Sequence, residues 1–369
     1  MTALRTQLLM LVAATASAIA VAGCDRKSGT SAPPALMAVN ASPTEVPVAT
    51  TLSVRPLAKL EAGRATLLAA MPDGSIFAEQ SAAGSERASQ IVRITGSRVE
   101  KTPLTPDAVL QSLGAARDKN APGGTGQFTT IAACADGRLA FSFAGVAGTR
   151  PFAAMGTYSP ASNEIFVSVD FITLANIDAD LATDVGRPSL FTDGDDAWLW
   201  RAVPTEVRLL TVAGLTKPQP KLTKVAVSLA NVKDMVGERS AWEWSATPAR
   251  GHFLLTDTAS RWIRKIDDTG AMTHIARFDD KTITTITPAA LDAAGRILIL
   301  GNDRDGVATC ALVQDDDAFR AIVRENFDII GLGKTAALRI DRLYPVPGER
   351  NAFDAYDATS GRVVRVELK

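Results

Sequence analysis

A chain of 369 residues holds one large domain or two ordinary ones, and 46% hydrophobic with 21% charged residues supplies a globular core. Thirty-nine basic residues balance 40 acidic ones for a formal charge of -1. That argues against a nucleic-acid partner, since counterion release needs a basic excess. After residue 24 no apolar run reaches the roughly 18 residues of a spanning helix. Contact with a bilayer is therefore expected at the N-terminus alone.

In chain order, the first element is a targeting segment. Arg5 is its one charge, and Leu8 to Gly23 is apolar or small throughout, the length of a signal-peptide core. It ends in Val21-Ala22-Gly23-Cys24, which resembles the bacterial lipobox, with Val21 where leucine is commoner. The resemblance implies a signal peptide over 1–23, cleavage before Cys24, and lipid, palmitate included, on that cysteine. Several acyl chains supply the two or more signals that stable anchoring needs. Asp25 resembles the enteric signal for retention in the inner membrane, a rule confined to some bacteria, so inner and outer membrane both stay open. Residues 24–48 are small, polar and dotted with proline, and read as a flexible tether between the lipid and a domain over 49–369.

The domain carries a weak repeat in which an apolar run meets a tight turn and then a second, alternating strand. The turns are Pro72-Asp73-Gly74, Ala135-Asp136-Gly137, Asp193-Gly194, Pro248-Ala249-Arg250-Gly251, Asp292-Ala293-Ala294-Gly295 and Pro347-Gly348-Glu349. Asp bonds the local backbone and Gly tolerates positive φ, which suits them to such turns. Spacings of roughly 45 to 63 residues suit propeller blades with uneven loops. Six occurrences predict an all-β fold: a six-bladed β-propeller with four-stranded antiparallel blades.

In the fourth repeat, Leu255-Thr256-Asp257, Arg261-Trp262-Ile263 and Ile266-Asp267 through Gly270 are similar to an NHL repeat over about 35 residues. The other repeats keep the rhythm and lose the motif. The resemblance implies the fold, which hosts unrelated functions. The sixth repeat ends after three strands, around Leu343, around Phe353 and over 362–368. An open apolar edge invites association, so Thr50 to Pro56 is expected to supply the missing outer strand and close the ring.

Candidates for chemistry are few. Cys134 and Cys310 map to blades on opposite sides of the ring, too far apart for a disulfide, and read as buried small hydrophobes. His252 and His274 both fall inside strands of blade four, away from the channel mouth, which counts against a histidine base or zinc site. No HExxH, CxxC, GxSxG or P-loop pattern occurs. Asn302-Asp303-Arg304-Asp305-Gly306 has part of a calcium loop's spacing but lacks the distal glutamate, and reads as a solvated turn. Asp193, Asp195, Asp196 and Asp315-Asp316-Asp317 read the same way. All five tryptophans fall between 198 and 262, as inter-blade packing or as a ligand patch.

The long connections, about 102–127, 170–187, 229–242 and 324–340, belong to the face that carries the second-to-third-strand turns. Scaffolded loops carry function, and Arg150, Arg201, Asp257, Arg261, Asp303, Arg304, Asp305 and Arg362 are the candidate ligand-binding side chains there. Their mixed charge suits a polar ligand or an envelope protein, and no cofactor or metal is called for. The reading is a lipid-anchored, exported binding or scaffolding module without catalysis. The alternative is a metal-dependent hydrolase or lactonase resembling the gluconolactonase group, which needs Glu, Asp and Asn converging at the channel mouth.

Overall fold

Asp and Gly build the hairpins that the repeat predicted. Asp73 Oδ1 accepts from Ser75 N at 2.9 Å while Gly74 turns the chain at φ 81, and Asp136 with Gly137, φ 84, repeats this with Arg138 N at 3.1 Å. A computed structural model describes residues 39–40, 52–60, 64–81, 89–114, 124–147, 150–169, 189–203, 206–228, 244–249, 252–258, 261–267, 272–277, 283–293, 297–302, 304, 308–315, 318–323, 327–329 and 338–368. Cys24, the signal segment, Asp303 and Asp305 lie outside the described residues, as do the connections 170–187 and 229–242 and most of 324–340.

Two strands open the described chain, the short β1 (Val39–Asn40) and the eight-residue β2 (Leu52–Lys59). The first sheet is the meander β3 (Arg64–Ala70), β4 (Ile76–Ser81), β5 (Ser89–Thr95) and β6 (Arg98–Lys101). Helix α1 (Pro106–Gly114) follows, started by Thr105, whose Oγ1 accepts from Ala108 N at 3.2 Å, with Pro106 in the first turn. It sends Val109 and Leu113 into the core between the first two sheets. The second sheet is β7 (Gly124–Ala133), β8 (Leu139–Ala147), β9 (Arg150–Ser159) and β10 (Glu164–Val169). The third is β11 (Ser189–Asp193), β12 (Asp196–Val203), β13 (Glu206–Ala213) and β14 (Lys221–Ser228).

The fourth sheet is β15 (Trp244–Ala249), β16 (His252–Asp257), β17 (Trp262–Asp267) and β18 (Met272–Arg277), with β1 added in parallel on β18. In the fifth, the inner position is split between β19 (Thr285–Ile286) and β20 (Ala290–Leu291), both paired to β21 (Ile297–Asn302), followed by β22 (Ala308–Asp315) and β23 (Ala318–Val323). The closing sheet comprises β24 (Phe327–Ile329), β25 (Ile340–Pro345), β26 (Ala352–Asp357) and β27 (Arg362–Leu368) together with β2, in the order β24-β2-β27-β26-β25.

Each sheet packs on the next in chain order, and β25 and β26 pack back on β3, so the sheets form a ring. This is a β-propeller, with β3, β7, β11, β15, β19–β20 and β25 on its inner edge. Apolar layers fill the joints: Leu68, Ile76 and Val363 between closing and first sheets, Phe77, Phe128 and Phe141 between first and second, Ile131 beside them. Leu52, Val54, Leu298, Leu300 and Phe353 fill the joint between fifth and closing sheets.

Strand β2 runs antiparallel to β27, Leu52 opposite Leu368 and Val54 opposite Val366, so the N-terminal segment is the latch between the chain's ends. The architecture departs from uniform four-stranded blades in three ways. Among the described residues five blades, not the expected six, are built around strands consecutive in the chain, and the closing sheet is composite. The latch is not an edge, because β24 pairs in parallel with the free side of Leu52 to Val54. Val39 and Asn40, inside the expected tether, bond to Ala276 and Arg277, because the outer edge of β18 offers unpaired backbone groups there. Among the described residues no helix is long and apolar enough to cross a membrane.

Candidate functional site

The first strand of the closing sheet, β25, breaks its own alternation. Ile340 and Leu343 are both buried and pair with Asp357 and Ala355, so Asp341 and Arg342 together oppose the single residue Tyr356. This is a β-bulge, which re-aims side chains and bends its strand. Neighbouring inner strands are bulged too, β3 between Ala65 and Leu68 and β7 between Phe128 and Thr130.

The bulge sends Arg342 over the inner edge. Its Nη2 donates to Ser189 Oγ at 2.5 Å, and its guanidinium lies 5.6 Å from the centroid of the Tyr344 ring. Ser189 opens β11, the inner strand of the third sheet, which is not the closing sheet's neighbour in the ring. Arg342 thus bonds across the inner edge of the ring. Both residues stand near the starts of their strands, at the face bearing the second-to-third-strand turns. Burial raises the Tyr344 phenol above its ordinary range, and the Arg342 charge opposes that rise.

Along β11 the unbroken register puts Ser189 and Phe191 on one face, opposite Trp200 and Trp198. Phe191 is 46% exposed and its ring sits 5.6 Å from that of Trp198, tilted by 43°. The residues on the other face are used in packing: Leu190 against the second sheet's core, and Thr192 Oγ1 donating to Ala133 O at 2.5 Å. The cation and the hydroxyl thus meet at the start of β11, and the aromatic pair lies two residues from the Asp193-Gly194 turn, toward the other end of the strand.

The candidates read from the sequence are distributed rather than gathered. Arg150 opens β9, Arg201 lies in β12 opposite Arg208, Arg304 is exposed between β21 and β22, and Arg362 opens β27. Each stands near the second-to-third-strand turn of a different sheet. Asp257 and Arg261 share the turn between β16 and β17, and both serve the architecture. Arg261, at φ 64, donates from Nη1 to Ile283 O at 2.5 Å, while Thr258 O accepts from Ile286 N at 3.0 Å and Thr256 Oγ1 from Ala289 N at 3.1 Å. These bonds stitch the fourth sheet to the fifth. Asp257 is buried, and its charge offsets part of the burial that lowers the Arg264 guanidinium to about 10.

Asp357 shows the same role at the equivalent turn of the closing sheet. It accepts from Arg339 N at 2.8 Å, Thr359 N at 3.1 Å and Ser360 N at 3.1 Å. Asn302, first residue of the calcium-like stretch, is buried and donates from Nδ2 to Ile340 O at 3.4 Å. Asp195 accepts from Thr216 N at 3.1 Å and Oγ1 at 2.6 Å, and Asp196 from Gly214 N at 2.9 Å, so these two carboxylates hold a turn. Among the described residues no three of His, Cys, Asp and Glu converge as a metal site would require. Cys134 is a buried free thiol, raised to about 11 by burial and then by Asp136.

Arg342, Ser189 and Phe191 were not among the candidates. The signal that points to Arg342 is the pair Asp341-Arg342 inserted between Ile340 and Leu343, three positions apart and both apolar, a spacing that strict strand alternation forbids.

No family model matches the chain, and no curated protein matches it in sequence. The NHL-like stretch therefore remains a local likeness. Solved structures do match in fold. One is a structural-genomics protein of unknown function from Bacteroides thetaiotaomicron, with TM-score 0.51 and 11% identity, covering 87% of this chain and 76% of that one. A streptogramin B lyase structure follows at TM-score 0.47 and 9% identity, over 86% of this chain and 98% of that one. Regucalcin, a calcium-binding protein from Agrobacterium tumefaciens, matches at TM-score 0.47 and 11% identity, over 85% and 94%. At such identities the similarity concerns the fold alone.

Proposed function

We propose that this chain is an exported cell-envelope lipoprotein, anchored to the inner or outer membrane through lipid on Cys24, whose propeller is a non-catalytic binding module. Counting the composite closing sheet, the module has six blades, with an NHL-like fourth repeat as one of them. The supporting observation is Arg342 across the channel mouth, bonded to Ser189. A guanidinium is permanently charged and presents fixed donors, properties suited to holding an anion and poorly suited to accepting a proton. The candidate partner is a polar, anionic ligand or an envelope protein at the same face, and no cofactor is invoked.

A metal-dependent hydrolase or lactonase is the second reading. It needs oxygen ligands about 2.3–2.6 Å from a common point, and the carboxylates Asp195, Asp196 and Asp357 are instead bonded to turn backbone. The full chain in detergent, immobilised and exposed to solubilised envelope, tests the choice. The expected result is a species retained by the native protein and lost on Arg342→Ala. Metal-dependent turnover of simple lactones, unaffected by that substitution, would favour the enzyme.

A further inference from the structure

We propose that β1 is a strap: it fastens the lipid-bearing end of the chain to the outer edge of the fourth sheet and shortens the reach of the anchor. Its release lets the domain stand further from the bilayer. The inference rests on the reading of Cys24 as the lipid attachment site and goes on to say what the segment beyond it does.

Three observations carry it. The first is where the strap attaches. Val39 and Asn40 pair in parallel with Ala276 and Arg277, on the side of β18 that β17 does not occupy. A strand edge presents a row of backbone donors and acceptors, and an extended segment held nearby can use them. The next point of hold, β2, lies in the closing sheet, so the two attachments stand on sheets either side of the fifth.

The second is the inequality of the two holds. The strap makes two residue pairs, whereas β2 makes seven with β27 and three more with β24. Leu52 and Val54 of β2 are also buried. Parallel pairing is slightly weaker per residue than antiparallel, and two residues offset little of the backbone entropy that their pairing removes. Pro33 and Pro34 before the strap and Pro43 after it have no backbone N–H, so the ladder cannot lengthen far in either direction. Ala35 to Val39 is nevertheless the longest apolar run between Cys24 and Thr50, which favours the protein surface over water. The strap is thus built to hold weakly and to open while the latch stays shut.

The third is chain length. Val39 is fifteen positions from Cys24, and Leu52 is twenty-eight. A fully extended chain spans at most about 50 Å over the first interval and about 100 Å over the second. With the strap closed, the fourth sheet is tied to the lipid by the shorter length. With it open, the closing sheet is tied by a length about twice as great, which extends the binding face toward more distant envelope partners.

Energy transfer on vesicles tests the proposal. The donors are native: Trp198, Trp200, Trp244 and Trp262 lie in the third and fourth sheets, near the strap. The acylated full chain is reconstituted in phosphatidylethanolamine–phosphatidylglycerol vesicles carrying a dansyl-labelled lipid as acceptor. Val39→Pro with Asn40→Pro removes both backbone donors of the strap, and transfer should fall about twofold or more. In a Cys134→Ala, Cys310→Ala background, Asn40→Cys with Arg277→Cys should form a disulfide, since paired strands lie within its reach. That locked protein should transfer at least as strongly as the native one, and all variants should keep the native melting temperature.

Failure of the disulfide to form, or equal transfer in native, proline and locked proteins, would overturn the strap. Mass spectrometry of the vesicle-bound protein separates the two readings. Lipid on Cys24 with equal transfer removes the strap alone, whereas an unmodified Cys24 removes the lipoprotein reading and the strap with it.

Discussion

Arg342 Nη2 meets Ser189 Oγ at 2.5 Å although the two residues are 153 positions apart, and the bond joins inner strands of sheets that are not neighbours in the ring. The mouth of the channel is therefore set by tertiary closure and by the bulge in β25. Replacing Ser189 by Ala should cost about 1.5–3 kcal/mol, the range for a hydrogen bond that involves a charged group. Urea denaturation measures it. A loss beyond about 4 kcal/mol would mean that Ser189 serves the fold and not merely the mouth.

Ring closure makes the next prediction. Leu52 is 1% exposed and pairs with Leu368, while β24 hydrogen-bonds the other side of β2. Deleting residues 25–38 should leave the melting temperature unchanged within error. Deleting 25–60 removes the strand between β24 and β27, exposes both edges and should give aggregation. Leu52→Ala alone should cost about 2–5 kcal/mol. Equal melting temperatures for the two deletions would show that the latch contributes nothing.

The latch was legible because Leu52 and Val54 alternate apolar side chains as Val364, Val366 and Leu368 do, and an open apolar edge demands a partner. The hairpin turns were legible because Asp and Gly act locally, as Asp73 with Gly74 and Asp136 with Gly137 do. The site was not, for two reasons. Arg261 looks like a surface charge until its acceptor, Ile283 O in the next sheet, is known, since the bond crosses 22 positions between repeats. Arg342 sits in a bulge, where the period of two that assigns faces fails. Strands of two or three residues, β1 and β24, lie below any pattern.

The ion pair in the closing sheet offers a test of its rigidity. Asp354 is 0% exposed, accepts from Arg365 Nε at 2.9 Å and Nη2 at 3.1 Å, and burial raises its carboxyl despite the arginine. Asp354→Ala leaves Arg365 without its bidentate partner and should cost about 3–5 kcal/mol, whereas Asp354→Leu with Arg365→Met should recover most of it. Chemical denaturation of the three variants decides this. A double variant as unstable as the single one would contradict it.

Cys134 supplies a pH prediction. Burial moves its thiol from 9.0 to about 11, so the thiolate fraction near pH 8 is about a hundredfold below that of an ordinary cysteine. In a Cys310→Ala background, iodoacetamide should label Cys134 slowly in the native protein and rapidly after denaturation. Because the folded value is raised, the unfolded thiol ionises first, and stability should fall as pH rises from about 9 towards 11. Rapid native labelling would place the thiol in contact with solvent.

The central claim is that the propeller's channel mouth is a binding site organised by Arg342, and retention of solubilised envelope components on the immobilised full chain tests it most directly. The account predicts a species held by the native protein and lost on Arg342→Ala. A species retained equally by both proteins, or none retained by the native one, would contradict it.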